Sequence, residues 1–130
     1  MTKTFEKVKN QIIKKLTGLD PKLSYHTINH TLDVLKQAER IAKEENIEDE
    51  RDLYLLKLAA LYHDSGFLKV YDGHEEVSCQ IILKDADLLD INDNELKFIQ
   101  KLIMATKLSN KPQTHLEKIL RDADLDYLGR

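Results

Sequence analysis

The chain has 130 residues, with 20 Lys and Arg against 23 Asp and Glu, a net charge of −3 and the two signs interspersed. That length suits one domain with a core of its own, and with no Lys/Arg run, basic patch or acidic tail nothing points to nucleic acid. Two prolines and four glycines amid abundant Leu, Ile, Lys and Glu favour an all-α domain, a compact single-domain bundle of about six helices.

Met1 to Lys7 lacks the apolar core of a signal peptide, and no apolar run anywhere is long enough to span a bilayer. From Phe5 to Leu16, apolar residues at Phe5, Val8, Ile12, Ile13 and Leu16 make one helical stripe, closed by Gly18 and Pro21. Leu19 to Ser24 reads as a loop. The second helix is expected over Tyr25 to Glu45, with Ile28, Leu32, Leu35, Ala38 and Ala42 inward and Val34 and Ile41 widening the stripe. His26 and His30 are four apart and share a face, with His30 at the margin of the apolar arc.

Asn46 to Glu50 is polar and reads as a loop. The third helix, from about Arg51 to Asp64, is apolar nearly all round, so it belongs in the middle of the domain. It ends in an adjacent imidazole and carboxylate, His63 and Asp64, and Gly66 then stops the helix. Polar groups at the end of a buried helix need a partner, and these two suit Zn, Fe, Mn or Mg. Phe67 to Gly73 reads as a loop. Asp72 to Glu76 opens a fourth helix that runs through Val77, Ile81 and Ile82 toward Leu83. Glu75 and Glu76 suit the dipole of a first turn, and His74 beside such an N-terminus makes a reasonable phosphate seat. The lone Cys79 excludes an internal disulfide and fits a reducing cytoplasm, the expected compartment.

Asp87 to Asn94 is acidic and turn-like. The fifth helix covers Glu95 to Lys107, with Leu96, Ile99, Leu102, Ile103 and Leu108 inside and Thr106 near its end, in reach of a pocket. Ser109 to Thr114 is a loop. The sixth helix runs from His115 to about Tyr127 on a stripe of Leu116, Ile119, Leu120, Ala123, Tyr127 and Leu128. Asp124 interrupts that row between Leu120 and Leu128, and a carboxylate there signals a ligand or a buried pair. His115 aligns with none of the other histidines and reads as a surface residue.

His30, His63, Asp64 and Asp124 thus come from three helices, each at an inward or border position. Two imidazoles and two carboxylates make a mixed N/O site for one or two divalent ions, drawn from Mn, Fe, Co, Ni, Zn or Mg. Helical domains build such sites from side chains on facing helices.

The order His30 … His63-Asp64 … Asp124 resembles that of the HD-domain metal-dependent phosphohydrolases. Tyr25-His26-Thr27-Ile28-Asn29-His30 is similar to that family's first-histidine segment, Leu61-Tyr62-His63-Asp64-Ser65-Gly66 to its dyad, and Asp122 to Gly129 to the segment with its last ligand. The resemblance spans Tyr25 to Gly129. It implies an α-helical, HD-domain-like fold over residues 1–130 and hydrolysis of a phosphomonoester or phosphodiester, often a nucleotide, by metal-activated water. It implies that His30, His63, Asp64 and Asp124 bind the metal, with Asp64 also steering the water. His26 corresponds to a histidine that protonates the leaving oxygen in some members. His74 and Glu75 match a region that supplies a second-metal ligand, a phosphate contact or a proton-transfer group. His74, Lys69 and Thr106 are the expected substrate contacts.

Two departures stand out. Phe67 to Lys69 replace the acidic pair of the guanosine tetraphosphate hydrolases, and the signatures of the cyclic-di-nucleotide phosphodiesterases are missing. Members commonly continue past the last motif, so a domain truncated at its C-terminus is expected. The rival expectations are a non-catalytic metal- or nucleotide-binding regulatory module and a di-iron oxygenase. The only expected partner is a small phosphorylated substrate, with neither nucleic acid nor membrane.

Overall fold

The structure, a computed structural model, describes residues 2–18, 21–68 and 73–129, with side chains described except at 2–4, 21–26, 67, 68, 127 and 129. Among these residues there are six α-helices and no strand: α1 Thr2–Leu16, α2 Pro21–Glu44, α3 Glu50–Tyr62, α4 His74–Leu89, α5 Asp93–Met104 and α6 His115–Leu125. Short 3-10 turns, Ser65–Leu68 and Asp126–Gly129, follow α3 and α6. The all-α fold is therefore the one the composition favours. No described helix is long and apolar enough to cross a membrane.

Helix α3 is the axis of the bundle and packs against each of the other five α-helices. Its residues Tyr54 to Leu56 and Leu58 to Tyr62 are all buried. Asp49 caps its start by accepting the amide of Asp52 at 2.9 Å. Around it, α1 contributes Phe5, Val8, Ile12 and Leu16, and α2 contributes Val34, Leu35, Ala38 and Ala42. Helix α2 also packs along α6, and α4 along α5. These faces bring the C-terminal end of α3, the middle of α2, the start of α4 and the end of α6 to one place.

Several boundaries differ from the expectation. Helix α2 starts at Pro21, inside the stretch read as a loop, because proline's fixed φ and missing N–H suit a first helical position. Helix α4 runs on to Leu89 through the acidic stretch read as a turn. Leu89 is fully buried, and Tyr54 and Arg51 donate to the carbonyls of Leu89 and Asp90 at 2.7 and 2.6 Å. Asp90 then closes the helix in the left-handed region, at φ 57°. Helix α5 ends at Met104, so Leu108, expected inside, lies beyond the helix and is 70% exposed. Leu128 falls past the end of α6 and is 67% exposed, and Leu32 lies on the outer edge of its stripe at 36%. The loop expected over Phe67 to Gly73 begins instead with a 3-10 turn, so Gly66 sits inside that turn, after α3 has already ended at Tyr62.

Candidate metal centre

His63 caps the end of α3 and is buried. Its Nδ1 lies 2.6 Å from the carbonyl oxygen of Ala60. A carbonyl only accepts, so Nδ1 carries a proton, and when the ring is neutral its Nε2 presents the lone pair. Among the described residues that buried Nε2 has no hydrogen-bond partner. Beside it stand Asp64 Oδ2 at 3.2 Å and Asp124 Oδ1 at 3.3 Å. His30 reaches the same point from α2, with its Nε2 2.8 Å from Asp124 Oδ1 and 3.7 Å from Asp64 Oδ2. The His30 and His63 rings are 5.6 Å apart between centroids.

The main chain after α3 is held by a residue with no obvious sequence signal. Ser78, fully buried on α4, donates through Oγ to the carbonyl of His63 at 2.9 Å and accepts the amide of Gly66 at 2.8 Å. It satisfies two backbone groups that the end of α3 leaves over. Ser65 Oγ donates to the Tyr62 carbonyl at 2.7 Å in the same turn. Gly66 lets the backbone of His74 approach closely, and Gly73, at φ 72°, turns the chain into α4. His74 Nε2 then stands 3.0 Å from Asp64 Oδ1 and 3.5 Å from Glu75 Oε2.

Three imidazoles and three carboxylates thus share one site, and their closeness shifts His63, Asp64, His74 and Asp124. Burial disfavours the charged form of His63, but the Asp64 and Asp124 carboxylates outweigh it and hold the ring well above its ordinary pKa. Burial pushes Asp64 up, but His63, His74 and His30 together bring it below the carboxylate range. Asp124 behaves alike: burial raises it, His30 and His63 bring it down to about 2. Burial lowers His74 and the hydrogen bond to Asp64 raises it, with a net rise.

His30, His63 and Asp124 each offer one ligand atom, and these atoms lie within 4.8 Å of one another, a group that could hold a metal ion. Asp64 falls outside this tightest trio but places an oxygen within 3.7 Å of both imidazoles. A divalent ion fits these residues on two counts. The buried Nε2 of His63 makes no hydrogen bond among the described residues although two carboxylates flank it, and its Nδ1–H bond to a carbonyl is the outer contact that fixes a ligating imidazole. The N/O donor set suits borderline and hard divalent ions without selecting one.

The centre opens into a cleft of about 310 Å³ lined by His30, Asp64, His74, Glu75, Thr106 and Asp124, with Leu108 and Leu125 adding apolar surface. Thr106 is buried, and its hydroxyl donates to the Ile103 carbonyl at 2.6 Å. His115 is at the surface, 3.7 Å from Glu45, away from the centre. Lys69 lies outside the described residues, as does the side chain of His26. Sequence reasoning missed Ser78, the Ala60 carbonyl, and Leu108 and Leu125 as cleft walls. A carbonyl carries no side-chain signal, and a serine inside a helix reads as a neutral surface residue.

No curated protein and no solved structure matches the chain. The sequence model of the HD domain matches residues 27–126, from the second helix through the end of the sixth, and the chain belongs to the HD domain family.

Proposed function

We propose that this protein is a metal-dependent phosphohydrolase acting on a phosphomonoester or phosphodiester, with nucleotides as the favoured substrates. The observation that carries the reading is the buried, unpartnered Nε2 of His63, set between two carboxylates and beside the His30 imidazole. His30, His63 and Asp124 would hold the ion, with Asp64 as the fourth contact. The ion supplies an activated water and polarises a phosphoryl oxygen.

The remaining work falls to the chain's own groups. Asp64, held ionised by the surrounding imidazoles, is a hydrogen-bond acceptor that orients the attacking water. His74 and Glu75 line the cleft where the phosphoryl group enters, and His74 offers a positively charged donor to it. His26 is assigned the proton delivered to the leaving oxygen, and Lys69 a phosphate contact. A cleft of 310 Å³ is at the small end for ligand sites, so it takes the phosphoryl end while the rest of the substrate extends past Leu108 and Leu125. Membership of a family made up largely of metal-dependent hydrolases supports the reading. The single, half-buried Cys79, its thiol pushed up to about 11 by burial, is a poor nucleophile and fits a cytoplasmic setting.

One observation favours a non-catalytic regulatory module instead: three imidazoles and three carboxylates can balance one another's charge without a cation. Elemental mass spectrometry of the purified protein, joined to a phosphoester screen with the metal found, separates the two. The hydrolase requires about one or two divalent ions per chain and turnover, both lost in His63→Ala. Metal without turnover selects the regulatory module, and full activity in His63→Ala refutes the site.

A further inference from the structure

A second cleft, of about 710 Å³, lies between α5 and α6, more than twice the size of the one at the metal centre. Lys97 and Lys101 stand one turn apart on α5, and Lys111 joins them from the α5–α6 loop. None of the three is paired with a described acid. The half-buried Phe98 and Met104 give the same cleft an apolar floor, with Phe98 packed against the core. Among the described residues its one lining carboxylate, Glu117, is already engaged: it accepts from the Thr114 hydroxyl at 2.8 Å and the Gln113 amide at 3.3 Å. The cleft is therefore cationic in a chain whose net charge is negative.

Its walls are fixed before any ligand arrives. Asn110 Nδ2 donates to the Met104 carbonyl at 2.9 Å. The Arg121 guanidinium donates to the carbonyls of Asn110 and Leu108, the latter at 3.2 Å. An open cleft of this size, with apolar surface from Phe98, Met104 and Ala105 beside convergent polar groups, has the dimensions of a small-ligand site, and preformed walls lower the cost of binding. We propose that this cleft binds a small organic anion bearing a flat apolar group, the chemistry shared by nucleotides and aryl phosphates. The flat group lies against Phe98 and Met104, and the anion meets the lysine ammonium groups as point charges. The metal centre differs in kind, setting Asp64, Glu75 and Asp124 among imidazoles where this cleft sets lysines. The segment flooring the new cleft also carries Thr106 and Leu108 to the metal centre, so the two cavities share one stretch of chain.

The test is amide NMR of the whole protein titrated with ATP, with inorganic triphosphate as the control. ATP should shift the amides of Lys101, Asn110 and Lys111 saturably, with Kd below about 1 mM. Triphosphate should bind at least about tenfold more weakly, because it lacks the flat group. The exposed pair Lys97→Glu/Lys101→Glu should keep its helical circular dichroism and lose at least about tenfold in affinity, and Lys111→Glu alone should weaken binding on an independent element. No saturable shift at these amides, shifts confined to the metal centre, or equal binding of triphosphate would each overturn the proposal. Run with a chelator present, the titration does not depend on whether the metal centre hydrolyses anything.

Discussion

Gly66 and His74 meet backbone to backbone: a Cβ at Gly66 would fall 1.9 Å from the carbonyl oxygen of His74 and 2.9 Å from its Cα. Neither atom belongs to a flexible side-chain tip, so the neighbour cannot yield without moving the start of α4. The same approach sets His74 Nε2 3.0 Å from Asp64 Oδ1. Gly66→Ala should therefore destabilise the fold by about 2 to 3 kcal/mol, as overpacking of a close contact does. Urea unfolding measures this. A loss below about 0.5 kcal/mol would mean that the two segments are not in contact.

Ser78 bridges the His63 carbonyl and the Gly66 amide from a fully buried position. Ser78→Ala removes both partnerships and leaves two buried backbone groups unsatisfied. The expected cost is about 2 kcal/mol. Because the serine also fixes the residue that presents His63, metal affinity should fall by about tenfold, the usual effect of a lost outer-shell contact. Denaturant titration and metal titration of one variant check both. Unchanged metal affinity with lowered stability would confine Ser78 to a structural role.

The helical layout was readable because apolar stripes at helical spacing bury as they should: Phe5, Val8, Ile12 and Leu16 in α1, and Leu96, Ile99, Leu102 and Ile103 in α5. Asp124 stood out as a carboxylate in an apolar row, and it lies 2.8 Å from His30. Periodicity failed where it was run past a helix end. Leu108 and Leu128 continue the stripes of α5 and α6 on paper, but Ala105 caps α5, its amide donating to the carbonyls of Lys101 and Ile103, and α6 gives way to a 3-10 turn at Asp126. Composition failed at the end of α4, where Asp87 and Asp90 suggested a turn while buried Leu89, fixed from α3 by Tyr54, kept the chain helical. Gly66 reads as the stop of α3, but the helix ends at Tyr62, and the glycine instead answers the nearness of a backbone 8 residues further on, which only the fold reveals.

Acid should weaken the clamp between α3 and α5. Arg51 donates to both oxygens of Glu95, at 2.5 and 2.7 Å, and that bond chiefly holds the Glu95 carboxyl down to about 2. The unfolded chain binds this proton more tightly than the folded one, so the clamp's contribution is complete above the ordinary glutamate value and declines as pH falls toward 2. Solvent screening limits it to about 1 kcal/mol. Wild type should exceed Glu95→Gln in stability by that amount at pH 6, and the gap should shrink at pH 3. A gap that is constant with pH would remove the ion pair from the account.

The metal reading is most sharply tested by an isosteric change. Asp124→Asn keeps the shape of the side chain and can still hydrogen-bond to His30, so the fold should survive, while the charge and the anionic ligand atom are lost. Binding to the folded state alone stabilises by about 2.7 kcal/mol at a hundredfold excess of metal over Kd. For a chain of this size that corresponds to a rise in Tm on the order of 10 °C. Chelator should lower the Tm of wild type by a similar margin, and added Mn or Zn should restore it. In Asp124→Asn both responses should nearly vanish, because His30, His63 and Asp64 leave the cation without the carboxylate from α6. Equal shifts in the two proteins would place the metal elsewhere and leave His63 Nε2, buried without a hydrogen-bond partner, to be explained by its proton alone.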